Sequence, residues 1–144
     1  MIAMSEILSG NSFDDQSEEI QNNLTTLLGK LNQVRSKYGK PMKVSSGLRT
    51  MAHHMEIYKE KAEKEGVPFD PSKVPLKSKH LYGQAADLVP ADVDDFKQWC
   101  TDNDDFLREV GIWMEAFDST PTWVHQQSVQ YGSFQEGGSL QFNP

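Results

Sequence analysis

Three side chains in this sequence are suited to holding a single metal ion: His80, Asp87 and His125. Two imidazoles and one carboxylate form a zinc donor set, and a catalytic zinc usually takes three protein ligands and leaves its fourth position to water or substrate. His80 and Asp87 lie seven positions apart in Ser78-Lys-His-Leu-Tyr-Gly-Gln-Ala-Ala-Asp87. One helical turn cannot bring two residues so spaced to a common ion, so the chain must bend between them. Gly83 permits that bend, because glycine accepts positive φ without strain. After it, Ala85, Ala86, Leu88 and Val89 make a short apolar run closed by Pro90, which reads as a buried strand presenting Asp87 on one face. The small alanines let backbone approach the ion closely. Further on, Trp123 and His125 are two apart, so on a strand they share a face while Val124 points into the opposite layer.

Hydrolysis at such an ion needs a base within hydrogen-bond reach of the attacking water. Glu115 is the first candidate. It lies in the apolar run Val110–Phe117, which reads as a strand. Asp118-Ser-Thr-Pro121 supplies turn chemistry before Thr122-Trp-Val-His125, so the two segments are expected to form a hairpin. Asp118 is the competing candidate.

The ten-residue segment Ser78–Asp87 satisfies S-x-H-x-x-G-x-A-x-D at every fixed position. With the downstream Trp123-Val-His125 it resembles the zinc D-Ala-D-Ala metallopeptidases, the phage cell-wall peptidases and the hedgehog signalling domain. Upstream, Val44-Ser-Ser-Gly-Leu-Arg-Thr50 is similar to the Ser-Gly-Tyr-Arg-Thr segment of that family, with Leu48 in place of the aromatic. The resemblance spans Val44 to Gln127. It implies an α+β fold, a small antiparallel sheet with flanking helices, and one Zn2+ on His80, Asp87 and His125. It also implies a glutamate base ahead of the second histidine. The short Glu-x-x-His form is absent, since Thr122 holds that position; the longer arrangement, with the acid ending one strand and Trp-Val-His on the next, fits Glu115.

In the family the arginine matching Arg49 lies at the substrate site. A guanidinium is planar, permanently charged and bidentate, so Arg49 suits a substrate carboxylate or carbonyl as well as a structural ion pair. Ser78 is expected to orient a ligand or substrate as a nearby hydroxyl, Tyr82 and Trp113 to line the cleft, and Trp123 to flank the metal ligand on its strand. The function implied is hydrolysis of a peptidoglycan stem-peptide bond. Both a D-Ala-D-Ala carboxypeptidase and an L-alanyl-D-glutamate endopeptidase remain open, in either case a phage or prophage lysin. The alternative is a non-catalytic zinc-binding structural or recognition module, such as a virion component.

Composition bounds the rest. A chain of 144 residues is one domain, large enough to bury a core without disulfides. Cys100, the single cysteine, sits beside Trp99 on an expected amphipathic helix and reads as packing. The net charge of −7 argues against nonspecific nucleic-acid or bilayer binding. The start, Met1-Ile-Ala-Met-Ser-Glu, lacks a basic stretch followed by an apolar core. The expectation is a monomer made in the cytoplasm that reaches the wall after release, or as part of a virion.

Around these motifs the periodicity predicts a helix from Asp15 to Lys37, with Asp15 and Glu18 as a capping box and Gly39 as its stop. A strand is expected over Met42–Leu48, and a helix from a Thr50 cap to about Glu65 that carries His53 and His54 as a surface pair. The proline-punctuated loop Val67–Lys79 leads into His80, and a further helix spans Asp92–Asn103. Residues 1–14 and 132–144 read as peripheral segments.

Overall fold

The computed structural model describes Met1–Pro144. Five helices and a five-stranded sheet alternate in an α+β arrangement: α1 (Met4–Leu8), α2 (Glu18–Tyr38), β1 (Met42–Ser46), α3 (Met51–Glu65), β2 (Ala85–Pro90), α4 (Val93–Asp102), α5 (Asp104–Val110), β3 (Trp113–Glu115), β4 (Val124–Gln127) and β5 (Gln141–Phe142). The sheet order is β1-β2-β4-β3-β5. Its first four strands are antiparallel. The sheet as a whole is mixed, because β5 runs parallel to β3. Two residues inside a glycine-rich tail carry no strand signal, so this edge was not foreseeable from periodicity.

Helix α2 covers the core face of the sheet. Leu24, Leu27, Leu31, Val34 and Tyr38 recur at helical spacing and are buried. Its start is Ser17, whose hydroxyl accepts from Ile20 N–H, rather than the expected Asp15 box. Asp15 instead lies in a turn closed by the bond from Gln16 N–H to the Phe13 carbonyl. Gly39 ends the helix in the left-handed region, its N–H on the Arg35 carbonyl. Lys30 ties this helix to the sheet by donating to the carbonyls of Gly111 and Ser128 at 3.0 and 2.9 Å.

The terminal segments, expected to be peripheral, each contribute residues to the core. Ile2, Ile7 and Leu8 are buried, and so is Leu140. Asn32 fixes Ile2 by a paired bond, accepting from its N–H at 2.8 Å and donating to its carbonyl at 3.0 Å. Leu140 accepts from Met114 N–H, which feeds the tail into β5.

The eight-residue run at Val110 divides differently from its apolar pattern. Its first residue closes α5, Gly111 caps that helix at φ 87° with its N–H on Leu107, and only Trp113–Glu115 pair as strand. An apolar run of this length does not by itself separate buried helix from buried strand. The expected hairpin is present, Trp113 opposing Gln127 and Met114 opposing Gln126.

Candidate metal centre

Strand alternation places the chemistry on one face of the sheet and the core on the other. Ala86, Leu88, Met114, Val124 and Gln126 are buried in the core layer. On the other face, one row crosses the sheet. Ser46 of β1 opposes Asp87 of β2, and Asp87 opposes His125 of β4. Continuing the β3–β4 register brings Glu115 beside His125, and Glu115 in turn opposes Phe142 of β5.

His80 reaches this row from outside the sheet. It sits on a short 3-10 turn, Lys79–Tyr82, which Gly83 closes at φ 70°. The bend between the two ligands therefore forms where glycine allows it. Strand β1 ends at Ser46, short of the expected Leu48, because the register shifts between Val44 and Ser46 and the chain then leaves the sheet. Beyond that point Leu48 N–H bonds to the Ile7 carbonyl and Arg49 N–H to the His80 carbonyl. The same segment offers the Gly47 carbonyl to His80 Nδ1 at 2.8 Å.

His80, Asp87 and His125 come together as a buried group whose ligand atoms lie within 4.8 Å of one another and could hold a metal ion. His80 Nε2 stands 3.3 Å from Asp87 Oδ1, and His125 Nδ1 stands 3.0 Å from the same oxygen. Tetrahedral zinc with bonds of about 2.0–2.1 Å needs ligand atoms about 3.3 Å apart, and the two distances to Asp87 Oδ1 are close to that. The outer nitrogens are also tethered. His80 Nδ1 faces the Gly47 carbonyl, and His125 Nε2 faces Gln127 Oε1 at 2.9 Å. Each ring thus has an acceptor for a proton on its outer nitrogen; a neutral ring so protonated would turn its free lone pair toward Asp87, the usual support of a metal-binding histidine, whereas a ring protonated at both nitrogens donates to Asp87 as well. Gln127 is itself held, its Nε2 donating to the Val129 carbonyl at 2.9 Å.

Electrostatics follow from this geometry. Burial alone would raise the pKa of Asp87, but hydrogen bonds from His125 and His80 outweigh it and hold the carboxyl well below the usual range. Burial opposes charge on His125, yet Asp87, Glu115 and Gln127 together push its pKa above the ordinary imidazole value. A proton and a cation therefore compete for the same Nδ1.

The group lies in an open cleft of about 1070 Å³. Glu115 lines it, with Oε1 3.7 Å from His125 Nδ1. Asp118 does not line it; it is exposed on the turn Phe117–Ser119. Arg49 lines it too, with Nη2 3.8 Å from Asp87 Oδ2 and Nε on Ser46 Oγ at 3.2 Å. Both readings of Arg49 meet here, since the guanidinium approaches Asp87 while still facing the cleft. Trp123 and Ser78 border the cleft.

Tyr82 does not border it. Its ring is exposed and its hydroxyl donates to the Leu76 carbonyl at 3.0 Å. Trp113 also stays outside, packed edge-on against Phe134. His53 is on the surface as expected, but His54 is fully buried, with Nε2 2.7 Å from the Pro75 carbonyl. Cys100 is buried, and burial pushes its thiol far above the ordinary value, as suits a packing residue. Sequence reasoning passed over Gln127, although a glutamine two residues after a strand histidine shares its face and is within reach of its ring.

Comparison with protein-family models, with curated proteins and with solved structures finds no match to this chain. No helix is long and apolar enough to cross a membrane.

Proposed function

We propose that the protein is a zinc-dependent peptidase hydrolysing a stem-peptide bond of peptidoglycan. One observation carries the reading: two tethered imidazoles and a carboxylate come together in an open cleft, with Glu115 beside His125 and Arg49 beside Asp87. Two neutral imidazoles and a carboxylate favour zinc among the common divalent ions. Zinc held there supplies Lewis acidity, making a water more acidic and a carbonyl more electrophilic.

The chain's own residues supply the rest. Glu115 takes the proton of the attacking water and passes it to the leaving amine, a role its half-buried place at the cleft wall allows. Arg49 has Nη1 free of any protein acceptor, so it can hold a substrate carboxylate or the carbonyl oxygen as charge develops. The sequence motif Ser78–Asp87 and its likeness to cell-wall metallopeptidases direct the choice of substrate.

The test is digestion of purified peptidoglycan by zinc-loaded protein, with the products read by mass spectrometry beside Glu115→Ala at matched metal content. New peptide ends or free D-alanine from the wild type alone are expected. Absence of product from both would sink the peptidase and leave a non-catalytic metal-binding module.

A further inference from the structure

The whole molecule carries a net charge of −7, yet the cleft reverses that sign. Its charged lining is Arg49, Lys61, Lys77 and Lys79 against Asp87 and Glu115. Asp87 is committed to the metal group and to Arg49. Lys61, Lys77 and Lys79 form no ion pair and no side-chain hydrogen bond; only Lys61 has a partner of another kind, the Tyr58 ring 5.9 Å away. Three cations without counter-charge in one cleft repel each other, and an anionic ligand relieves that repulsion.

The backbone carrying them is pinned. The Pro75 carbonyl is held by buried His54 at 2.7 Å, and the Leu76 carbonyl by Tyr82 at 3.0 Å. Both anchors immediately precede Lys77. Tyr58, which packs edge-on against His54, lies one turn before Lys61 on α3. A loop fixed at two successive carbonyls loses little freedom when a ligand binds, which is what a recognition surface needs. A second cavity of about 540 Å³ adjoins the cleft, sharing Tyr58 and Lys61 with it and adding Lys73 together with Glu65 and Asp70. The groove therefore continues past Lys61, but its excess of positive charge is confined to the cleft beside the metal group.

We infer that Lys61, Lys77 and Lys79 form a carboxylate-binding subsite, distinct from Arg49, which selects an extended acidic peptide. The inference rests on the peptidase reading for its ligand and deepens it. A peptide running from the metal group toward Tyr58 lays an internal carboxylate, such as that of a D-glutamyl residue, against the lysines.

The probes are two synthetic peptides, L-Ala-γ-D-Glu-L-Lys-D-Ala with the glutamyl α-carboxyl either free or as its carboxamide. Binding is measured calorimetrically on zinc-loaded Glu115→Gln, with and without Lys61→Gln, Lys77→Gln and Lys79→Gln together. The free carboxylate should bind about fivefold tighter, as exposed ion pairs permit. That preference should shrink with added salt and vanish in the triple-lysine variant at unchanged zinc content. Equal affinities, no binding of either peptide, or a preference that survives the lysine changes overturns the subsite. Cleavage of the same peptides by the wild type is read separately. A preference without cleavage removes the peptidase and leaves the subsite, whereas cleavage without preference does the reverse.

Discussion

At the scale of single residues, each group around the metal position has a separable task. Gln127 accepts from the outer nitrogen of His125 and so sets which nitrogen faces Asp87. Gln127→Ala should weaken zinc binding about 10–100-fold, the usual effect of removing such a support, with little change in fold; competition with a chelating dye measures it. Glu115→Gln should keep zinc but lower kcat by about 10²–10⁴-fold, the range for a lost acid–base group, and peptide hydrolysis at saturating substrate checks it.

The pH response has a definite sign. His125 has its folded pKa raised, so without metal it stabilises the fold fully below the unfolded value near 6.5, and that contribution fades as pH rises through the folded value. Asp87 has its pKa depressed, so it remains ionised across this window. A metal ion bound at His125 Nδ1 would have to displace its proton. Thermal denaturation should therefore show the metal-free protein losing stability as pH rises above about 6.5, while the gain from zinc increases over the same interval. A gain from zinc that falls toward alkaline pH would contradict the assignment of Nδ1 as a ligand.

Among the elements, α1 and the turn after β1 act as one support for His80. A Cβ on Gly47 would fall into the backbone of Ile7, so only glycine lets α1 pack where Leu48 N–H meets the Ile7 carbonyl. Gly47→Ala should lower the melting temperature and also weaken zinc binding, because the Gly47 carbonyl holds His80. Ile7→Ala, deleting a fully buried side chain, should cost about 2–5 kcal/mol in urea denaturation. Much of this level was legible beforehand. Thr50 and Gly66 bound α3, and β2 runs from Ala85 to Pro90 with Asp87 on the site face. What stayed hidden depended on partners distant in sequence. The role of Ile2 needs Asn32, burial of His54 needs the Pro75 carbonyl, and β5 needs the edge of β3. Periodicity reports a residue's own face and says nothing of which remote backbone will cover it.

Over the whole molecule, the fold brings distant segments to one row. The candidate metal ligands come from the turn at His80 and from neighbouring strands β2 and β4, and Glu115 comes from the hairpin partner of β4. Motif spacing made His80, Asp87, His125 and Glu115 visible in the sequence, because each sits at a strand face or turn whose local pattern is strong. The lysine wall was not visible, since exposed lysines have no periodic signature and their grouping depends on how α3 meets the loop before His80. All of this stands on one claim, that His80, Asp87 and His125 are a metal centre. Calorimetric titration of zinc into metal-free protein, with Asp87→Ala and His125→Ala in parallel, tests it most directly. The account predicts saturable uptake of about one ion by the wild type, with protons released on binding, and loss of that site in both variants. No saturable uptake, or the same uptake after either substitution, would contradict it.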